Sequence, residues 1–467
     1  MIHIINKELK ELLRDGRFKM ASIILVVLLI IASFTGFSQY KRNNLQHEES
    51  KRKERSNWES QGQKNPHSAA HYGTYVFKPQ FALSLFDYGI TKYTGNSIFL
   101  EAHNRNEAQF SEASDQTSLT RFGTLSINFV LLYLIPLIII LIGYNSSSKE
   151  KELQTNILLK SQGIHPAKMI LGKWSAIFIP TFLGVTFLFF VIGIVLSNLE
   201  NITFFSWYDL VALFFLYIIY YMIMVTITLL VSTWSKTSGI SLVSCLALWI
   251  AFCFITPKVA TNLVNHNYPY ASQSEFSAAI EMDLKNGLDG HNPWNEAAKQ
   301  LKKETLIEFG VDSVSQLSFN YDAYRMQKGE EHEAEIYAKH YSDLDKITQK
   351  QNETYQRLSF ISPFIPLRFL SMDIANTSYD LHWDFMNKTE AYRIEMQEFL
   401  NYDFKDNSKT GEWDYEMNAE TFIELPKFSF IAPNIWEVIN RNLQNIHSLL
   451  LWLILPFGGL ILSSKKI

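Results

Sequence analysis

Cysteine is almost absent from this chain of 467 residues, which contains two cysteines. Both of them, Cys245 and Cys253, lie in one apolar run. They are eight positions apart on one predicted helix, which is too far for a disulfide bond. The polar parts of the chain therefore contain no disulfide. They also contain no cysteine-based metal site, because such zinc sites need two or more thiolates.

A phosphate-binding loop of the form G-x-x-x-x-G-K-[ST] is also missing. In such a loop the backbone amides and the lysine hold nucleotide phosphates. The nearest candidate is Gly172-Lys173, which has no glycine at the required distance before it and no Ser or Thr after the lysine. We therefore expect that this chain is not itself an ATPase, and that it binds no cofactor of its own.

Hydrolase motifs are missing as well. His332-Glu333 begins an H-E-x-x-H sequence, but Ile336 follows where that motif fails, and no G-x-S-x-G sequence occurs. His332 and His340 are about two helical turns apart, and the acidic residues around them include Glu330. We interpret this segment as a solvated helix face. The sequence predicts no catalytic residue and no metal site.

Formal charges are nearly absent from the long apolar runs of the chain. A charge at the centre of a membrane helix costs about 2.5–3.5 kcal/mol. Proton-coupled carriers usually keep acidic or histidine residues in their spans, so a secondary transporter is disfavoured. The formal net charge of the whole chain, −4, argues against a nucleic-acid partner, because nucleic-acid-binding domains are usually basic.

Long apolar runs are what the sequence does have. A membrane helix needs about 20 mostly apolar residues, and six runs come close to this length. The predicted spans are residues 20–37, 125–144, 175–196, 210–232, 239–256 and 449–462. The last is short, and we expect Pro456, Gly458 and Gly459 to interrupt it. These runs predict an α-helical polytopic membrane protein with about six transmembrane helices.

The short loops predict on which side of the membrane each segment lies, because short loops rich in Lys and Arg stay in the cytoplasm. Residues 1–19 read as an amphipathic interfacial helix before the first span. Both termini then lie inside, and the polar regions 38–124 and 257–447 form extracytoplasmic domains. We expect these domains to be mainly helical (α+β), with extended segments such as Thr421–Phe430.

The loop of residues 145–174 joins the second and third spans and carries five lysines. Within it, 152–161 has helix-forming residues with an apolar face made by Leu153, Ile157 and Leu158. Gly163 is a typical helix stop, with Pro166 three residues later. The loop therefore predicts a short cytoplasmic helix between two membrane spans.

This pattern resembles the coupling loop of bacterial ABC transporter permeases of the type-2 exporter class. The family elements are a Lys/Glu-rich start, a short apolar helix, a glycine turn and a Gly-Lys entry to the next span. They correspond here to residues 149–152, residues 155–159, Gly163 and Gly172-Lys173. The resemblance implies contacts with an ATPase subunit, made by Glu152, Leu153, Ile157, Leu158, Lys160 and Gly163. The alternative is an ordinary solvated loop.

A second resemblance covers residues 362–393. The residues that carry it are Ser362-Pro363, Ser371-Met372, Thr377, Asp380, Phe385, and Glu390 with Arg393. They resemble the extracytoplasmic segment of a domain-of-unknown-function family of bacterial ABC permeases with large extracytoplasmic domains, in which Ser-Met marks a turn. Asn376 replaces a common glycine, and Asn can also adopt the left-handed backbone conformation. The alternative is that these residues only build the fold.

Together the resemblances imply the permease subunit of an ABC transporter in the bacterial cytoplasmic (inner) membrane, driving export or extracytoplasmic mechanical work. The implied partners are a cytoplasmic ATPase subunit that binds ATP and Mg²⁺, a second permease chain as dimer mate, membrane lipid and a periplasmic protein. A second hypothesis is a membrane-anchored scaffold or sensor, whose ectodomains bind a partner and whose spans transport nothing.

Overall fold

The computed structural model describes residues 1–115, 125–161, 163–199 and 205–464. The protein is helical over 74% of the chain. Its helices are α1 (Ile2–Arg14), α2 (Gly16–Glu59), α3 (Pro66–Tyr72), α4 (Glu112–Asp115), α5 (Ile127–Phe129), α6 (Ile135–Gly143), α7 (Ser148–Glu152), α8 (Asn156–Ser161), α9 (Pro166–Ser197), α10 (Trp207–Trp234), α11 (Ser238–Ile250), α12 (Thr256–Asn267), α13 (Gln273–Lys285), α14 (Glu296–Phe309), α15 (Tyr321–Arg357), α16 (Phe364–Ile374), α17 (Tyr379–Asn407), α18 (Thr421–Glu424), α19 (Ile435–Arg441) and α20 (Leu443–Ser463). Short 3₁₀ helices cover Ala82–Leu85, Val314–Gln316 and Leu358–Phe360.

Six helical stretches of the described chain are long and apolar enough to span a membrane, which confirms the predicted number. They are Gly16–Glu59, Ile127–Glu152, Pro166–Ser197, Trp207–Trp234, Ser238–Asn267 and Leu443–Ser463. Helix α10 is the centre of this bundle, because it packs against α6, α9, α11, α16 and α20. Its tyrosines Tyr217, Tyr220 and Tyr221 are fully buried there.

Two of these apolar stretches contain a π-helical turn just before a proline. The turn Val130–Leu134 precedes Pro136, and the turn Ala251–Ile255 precedes Pro257. Proline cannot donate a backbone hydrogen bond, and a π turn is one way for a helix to accommodate that loss. The expected interruption of the last span is wrong, because α20 continues as a helix through Pro456 and both glycines after it.

Helix α2 does not end with its apolar half. It has 44 residues and is therefore about 66 Å long at 1.5 Å per residue. Its polar half leaves the bundle and ends in the polar domain, where Trp58 is buried and donates a hydrogen bond to the carbonyl of Phe422. This helix connects the bundle rigidly to the polar domain.

The largest hydrophobic cluster of the polar domain, among the described residues, joins both polar regions of the sequence. Trp58, Val76 and Ile98 come from the first region and pack with Phe385 and Leu400 of the second. An antiparallel hairpin of β1 (Thr74–Phe77) and β2 (Ser97–Leu100) is the sheet of the described chain, with Thr74 opposite Leu100. Helices α15 and α17 pack side by side across the domain.

One secondary-structure prediction in this domain is wrong. The segment Thr421–Phe430, expected to be extended, begins with the short helix α18 and continues without regular structure. Its apolar residues Phe422, Leu425 and Phe430 are buried in the domain core. Apolar residues that look like a strand thus fill the core from an irregular segment.

Candidate functional site

The loop between the second and third apolar stretches forms two short helices rather than one. The prediction of a single helix over residues 152–161 is wrong, because the chain turns at residues 153–155 between α7 and α8. Gln154 has a positive φ of 56°, which an α-helix does not allow. Gly163 has a φ of 70°, the left-handed conformation of a glycine that follows a helix. Pro166 then begins α9, with His165 as the capping residue.

The first half of this loop is fixed to the helix bundle. The backbone amides of Ser147 and Ser148 donate to the hydroxyl of Ser232 near the end of α10, at 3.0 and 3.1 Å. The carboxylate of Glu152 accepts from both the amide and the hydroxyl of Ser238, each at 3.0 Å. A carboxylate at a helix N-terminus is favourable, and here the helix is α11. Glu152, for which the resemblance implies a contact with an ATPase subunit, therefore bonds within the chain.

Lys173 forms a buried ion cluster beneath the loop. Its side chain is 1% exposed, and its ammonium donates to Glu150 at 2.8 Å, to Glu8 at 3.2 Å and to the carbonyl of Ser146 at 2.6 Å. A buried ammonium is tolerated when it is paired and its donors are bonded. The cluster joins α1, α7 and α9 in one contact.

Three apolar side chains between α7 and the end of α8 are exposed. Leu153, Ile157 and Leu158 are 60%, 61% and 63% exposed. The side chain of Lys160 lies outside the described residues. Single exposed apolar residues are common, but three of them within six positions on an anchored loop form a compact apolar surface. We call these three residues the loop surface.

Helix α1 packs against α9 at the end of the bundle where the loop lies. A side chain at Gly172 would meet Ile4 of α1 at 2.7 Å, so the glycine allows α1 to lie close against α9. Ile2 and Leu13 of α1 remain 70% and 59% exposed. This amphipathic helix therefore presents apolar side chains outward at the same end of the bundle as the loop.

The first part of the 362–393 motif lies at the opposite end of the bundle, where it meets the polar domain. The hydroxyl of Ser362 donates to the carbonyl of Phe252 at 2.9 Å, and Pro363 is the buried capping residue of α16. Ser371-Met372 lies inside α16, so the turn implied for it is wrong. The turn comes at Asn376, whose φ of 57° confirms the predicted left-handed conformation.

A fully buried carboxylate, Asp87, organises this junction. It accepts hydrogen bonds from Arg368 at 2.6 Å, Ser371 at 2.7 Å and Asn128 at 2.7 Å. The hydroxyl of Tyr217 in α10 is 3.2 Å from that of Ser371. The network therefore joins the central helix, the start of the second apolar stretch and the polar domain. The local sequence pattern around Asp87 gives no indication of this network.

Thr377 completes the junction as a structural residue. Its hydroxyl donates to the carbonyl of Asp87 at 2.9 Å, and its amide donates to the carbonyl of Met372 at 2.8 Å. A side chain at Gly89 would meet Thr377 at 2.5 Å, so the two chain segments touch. Asp380 lies in the first turn of α17, where its side chain is exposed.

The second part of the motif is in the polar domain. Phe385 is fully buried in the core. Arg393 is 1% exposed and holds Glu390 with two hydrogen bonds of 3.0 Å and Glu330 with one of 3.1 Å. The prediction of a solvated helix face around Glu330 is therefore wrong. The Glu330 side chain is 6% exposed, and its carboxylate is paired with both Arg393 and His103.

Four histidines lie near this buried charge network, and sequence reasoning missed them. His67 and His71 are one turn apart on α3, a spacing that places both rings on one helix face and that the sequence does contain. His103 and His291 come from distant loops. Burial and the neighbouring histidines lower the pKa of His67 to about 4. Burial opposes protonation of His103, but its hydrogen bonds to carboxylates outweigh burial and raise its pKa to about 10.

A cavity of about 1080 Å³ lies between α2 and the polar domain. Its lining includes Thr35 of α2, Ser126 before α5 and the buried Lys78. The Lys78 ammonium has no hydrogen-bond partner in the described part of the chain, and burial lowers its pKa to about 8. This volume is sufficient for a small ligand.

Comparison with known proteins matches one part of the chain. Residues 273–431 match the family described as Domain of unknown function (DUF3526). The match covers about a third of the chain, from α13 to the segment after α18, and so includes the 362–393 motif and Glu330. No curated protein matches the chain. The protein is thus helical, with six apolar helices of spanning length in its described residues and a second polar region that is similar to this family.

Proposed function

We propose that this chain is the membrane-spanning permease subunit of an ABC transporter, with ATP hydrolysis supplied by a separate cytoplasmic ATPase subunit. The observation that carries the proposal is the loop surface: Leu153, Ile157 and Leu158 are exposed on a loop that is anchored to three helices of the bundle. Such a surface suits insertion into a groove on a partner, as amphipathic helices do.

The anchors give a route for motion from the loop to the spans. A push on the loop reaches α11 through Glu152 and Ser238, α10 through Ser232 and α9 through Lys173. Helix α10 in turn contacts the polar domain through Tyr217 and the Asp87 network. A nucleotide-driven displacement of the loop would therefore change the polar domain as well as the bundle. This fits export or mechanical work outside the cytoplasm.

The two ends of the bundle support the proposed orientation. At one end lie α1, the loop, the start of α11 and the end of α20, where Trp234 donates to Ser463 at 2.8 Å. The polar domain lies at the other end. We place the first end in the cytoplasm because its short loops carry lysines. The polar domain is then extracytoplasmic, in a bacterial cytoplasmic membrane.

The remaining partners follow from exposed apolar faces. Ile23 and Phe34 of α2 and Leu183 and Phe187 of α9 are between 60% and 72% exposed. Such faces suit lipid or a second permease chain. We expect a dimer of permease chains with two ATPase subunits, and we expect substrate to reach the cavity beside α2.

The proposal is tested by purifying the full chain from its native host in mild detergent and identifying associated proteins by mass spectrometry. We expect a stoichiometric subunit with a phosphate-binding loop, whose ATP turnover in lipid changes when the permease is present. If no ATPase co-purifies, while an extracytoplasmic protein does, the scaffold or sensor hypothesis replaces this one.

A further inference from the structure

The four histidines of the polar domain converge from three separate segments. His67 and His71 lie on α3, His103 follows β2, and His291 precedes α14. The Nε2 atoms of His67 and His291 are 3.3 Å apart, and ligand atoms of His67, His71 and His291 all lie within 4.8 Å of one another. Three imidazoles at this spacing can share one metal ion.

The ring of His103 lies beside these three, while its ligand atoms group with Glu330 and Glu333. The distances between ring centroids run from 4.4 Å for His103 and His291 to 6.5 Å for His67 and His103. Zn–N bonds of about 2.0–2.1 Å in a tetrahedral site place imidazole centroids about 5 Å apart. The measured distances scatter around that value. The ring of His103 is therefore close enough to become a fourth ligand if it turns toward the site that His67, His71 and His291 form.

His103 is oriented as metal-binding histidines usually are. Its Nδ1 atom is 2.8 Å from Glu330 and 3.1 Å from Glu333. Its Nε2 atom is buried and has no hydrogen-bond partner among the described residues. A carboxylate on one ring nitrogen of a histidine fixes the ring and makes the other nitrogen a better ligand. Glu330 is itself held by Arg393 at 3.1 Å.

The backbone around the site is held in conformations that ordinary loops avoid. His103 has a φ of 65°, a left-handed conformation that is uncommon outside glycine. Its amide donates to Glu330 at 3.0 Å, and its carbonyl accepts from Tyr337 at 3.1 Å. Uncommon backbone conformations persist where the surroundings enforce them, and functional sites are enriched in them.

The loop that carries His291 is also held by specific contacts. Asp289 accepts from the amides of His291 and Asn292, which fixes a tight turn. Gly290 lies against Gly329 of α15, and Arg325 donates to the carbonyl of Gly290 at 2.9 Å. A side chain at Gly329 would come within 2.6 Å of Gly290. The absence of a side chain at Gly329 therefore allows the loop to approach α15 this closely.

We propose that His67, His71, His103 and His291 form a zinc site in the polar domain, with Glu330 and Glu333 orienting His103. Zinc is favoured over copper because four imidazoles in a tetrahedral arrangement suit Zn²⁺, whereas Cu²⁺ prefers a planar arrangement. The exposed edges of His71 and His291 give the ion access from solvent. The ion would tie the segment after the first apolar helix to the segment after the fifth. The site does not depend on the proposed transport function.

Zinc content tests the proposal directly. The full chain is purified in detergent, stripped with a chelator, dialysed against Zn²⁺ and measured by elemental mass spectrometry. We expect one zinc per chain, and a Co²⁺-loaded sample should show the visible absorption bands of tetrahedral Co²⁺. His71→Ala and His291→Ala should each lower the affinity at least about tenfold, since both rings are exposed and folding should survive.

A matched control and a positioning variant complete the test. His266→Ala removes an exposed histidine outside the cluster, so it should leave zinc content unchanged. Glu333→Gln should keep one zinc per chain but weaken its affinity by about 10–100-fold, because the residue acts through His103. Gel filtration and circular dichroism confirm that each variant is folded. Zinc content near zero in the unmodified chain, or an equal loss in His266→Ala, overturns the proposal.

Discussion

The ammonium of Lys173 lies 2.8 Å from the carboxylate of Glu150, and both groups are withdrawn from solvent beneath the loop surface. Lys173 lies in α9 and Glu150 lies in α7. The carboxylate of Glu8 in α1 completes the cluster, 3.2 Å from the Lys173 ammonium. The N-terminal helix, the loop and a membrane-length helix are therefore joined by one positive charge. A displacement of any of the three must move the others or break this cluster.

Replacing the lysine tests that role. Lys173→Met keeps the length of the side chain but removes the buried counter-charge of Glu8 and Glu150, so that only the half-exposed Lys7 remains beside them. Breaking a buried ion pair costs about 3–5 kcal/mol. We expect a clear fall in the thermal unfolding temperature of the detergent-purified chain. Lys7→Ala is the matched control, because Lys7 is 47% exposed and lies 3.6 Å from the same Glu150. It should cost at most about 1 kcal/mol. Equal losses from the two variants would contradict a special role for Lys173.

The loop surface makes a second prediction. Ile157→Asp places a charge where an aliphatic side chain would be buried, which removes about 1.5–3 kcal/mol of contact energy. Since 1.4 kcal/mol is a factor of ten, we expect ATPase affinity to fall by about tenfold or more, with permease expression unchanged. Affinity is measured by co-purification and by ATP turnover in lipid.

Leu45→Asp is the matched control for Ile157→Asp, since Leu45 is 55% exposed on the polar half of α2, far along the chain from the loop. It should leave ATPase binding intact. Full ATPase binding by Ile157→Asp would remove the loop surface from the coupling route, and the proposed function would lose the observation that carries it.

The sequence predicts the apolar helices well because hydropathy is a local property. Each apolar stretch is visible within about 20 residues, and the left-handed Asn376 is predicted from its own side chain. The failure at Glu330 involves partners that are distant in sequence. Glu330 looks solvated by its charged neighbours, but Arg393 and His103 bury it. No window around Glu330 contains that information.

The same reason explains why the two polar regions were expected to be separate domains. A fragment of residues 265–442 has the helical pattern of an independent domain. In the structure, however, Trp58 packs edge-to-face on Phe422, and Val76 and Ile98 share the same core. These three residues lie before the second apolar stretch. This fragment should therefore fold only when the first polar region is supplied.

The junction carboxylate gives a third prediction. Asp87→Asn removes the charge that faces Arg368 at 2.6 Å in a fully buried position. The guanidinium is left without its counter-charge, which should lower the free energy of unfolding by about 3–5 kcal/mol. Asp384→Asn is the control, because its pair with Arg441 is exposed on both sides and should matter little. Thermal unfolding in detergent compares them. Similar unfolding temperatures would show that Asp87 does not hold the junction.

The close approach of Gly290 and Gly329 gives a fourth prediction. In Gly329→Ala the new methyl group meets backbone atoms that cannot rotate away, so the loop carrying His291 must move. We expect a cost of about 1–3 kcal/mol and a weaker affinity for Zn²⁺. Gly184→Ala is the control, since a methyl group there meets nothing within 4 Å. Unchanged stability and zinc affinity in Gly329→Ala would mean that the loop position does not depend on this contact.

The last prediction concerns orientation in the membrane. Single cysteines at exposed positions of the polar domain, Ser50→Cys and Ser315→Cys, should react with a membrane-impermeant maleimide added to intact spheroplasts. Thr155→Cys, on the exposed part of the loop, should react only after permeabilisation. Ser148 is unsuitable as the inside position, because it is fully buried. The native cysteines are buried and should contribute little background.

The expected pattern depends on the lysines of the short loops, which hold the loop end of the bundle in the cytoplasm. Labelling of Thr155→Cys in intact spheroplasts, with the other two cysteines protected, would show that the protein has the opposite orientation in the membrane. The loop surface would then face away from any cytoplasmic ATPase. Labelling of all three without permeabilisation would place both ends of the bundle on one side. That result is incompatible with six spanning helices, and the proposed permease would fail with it.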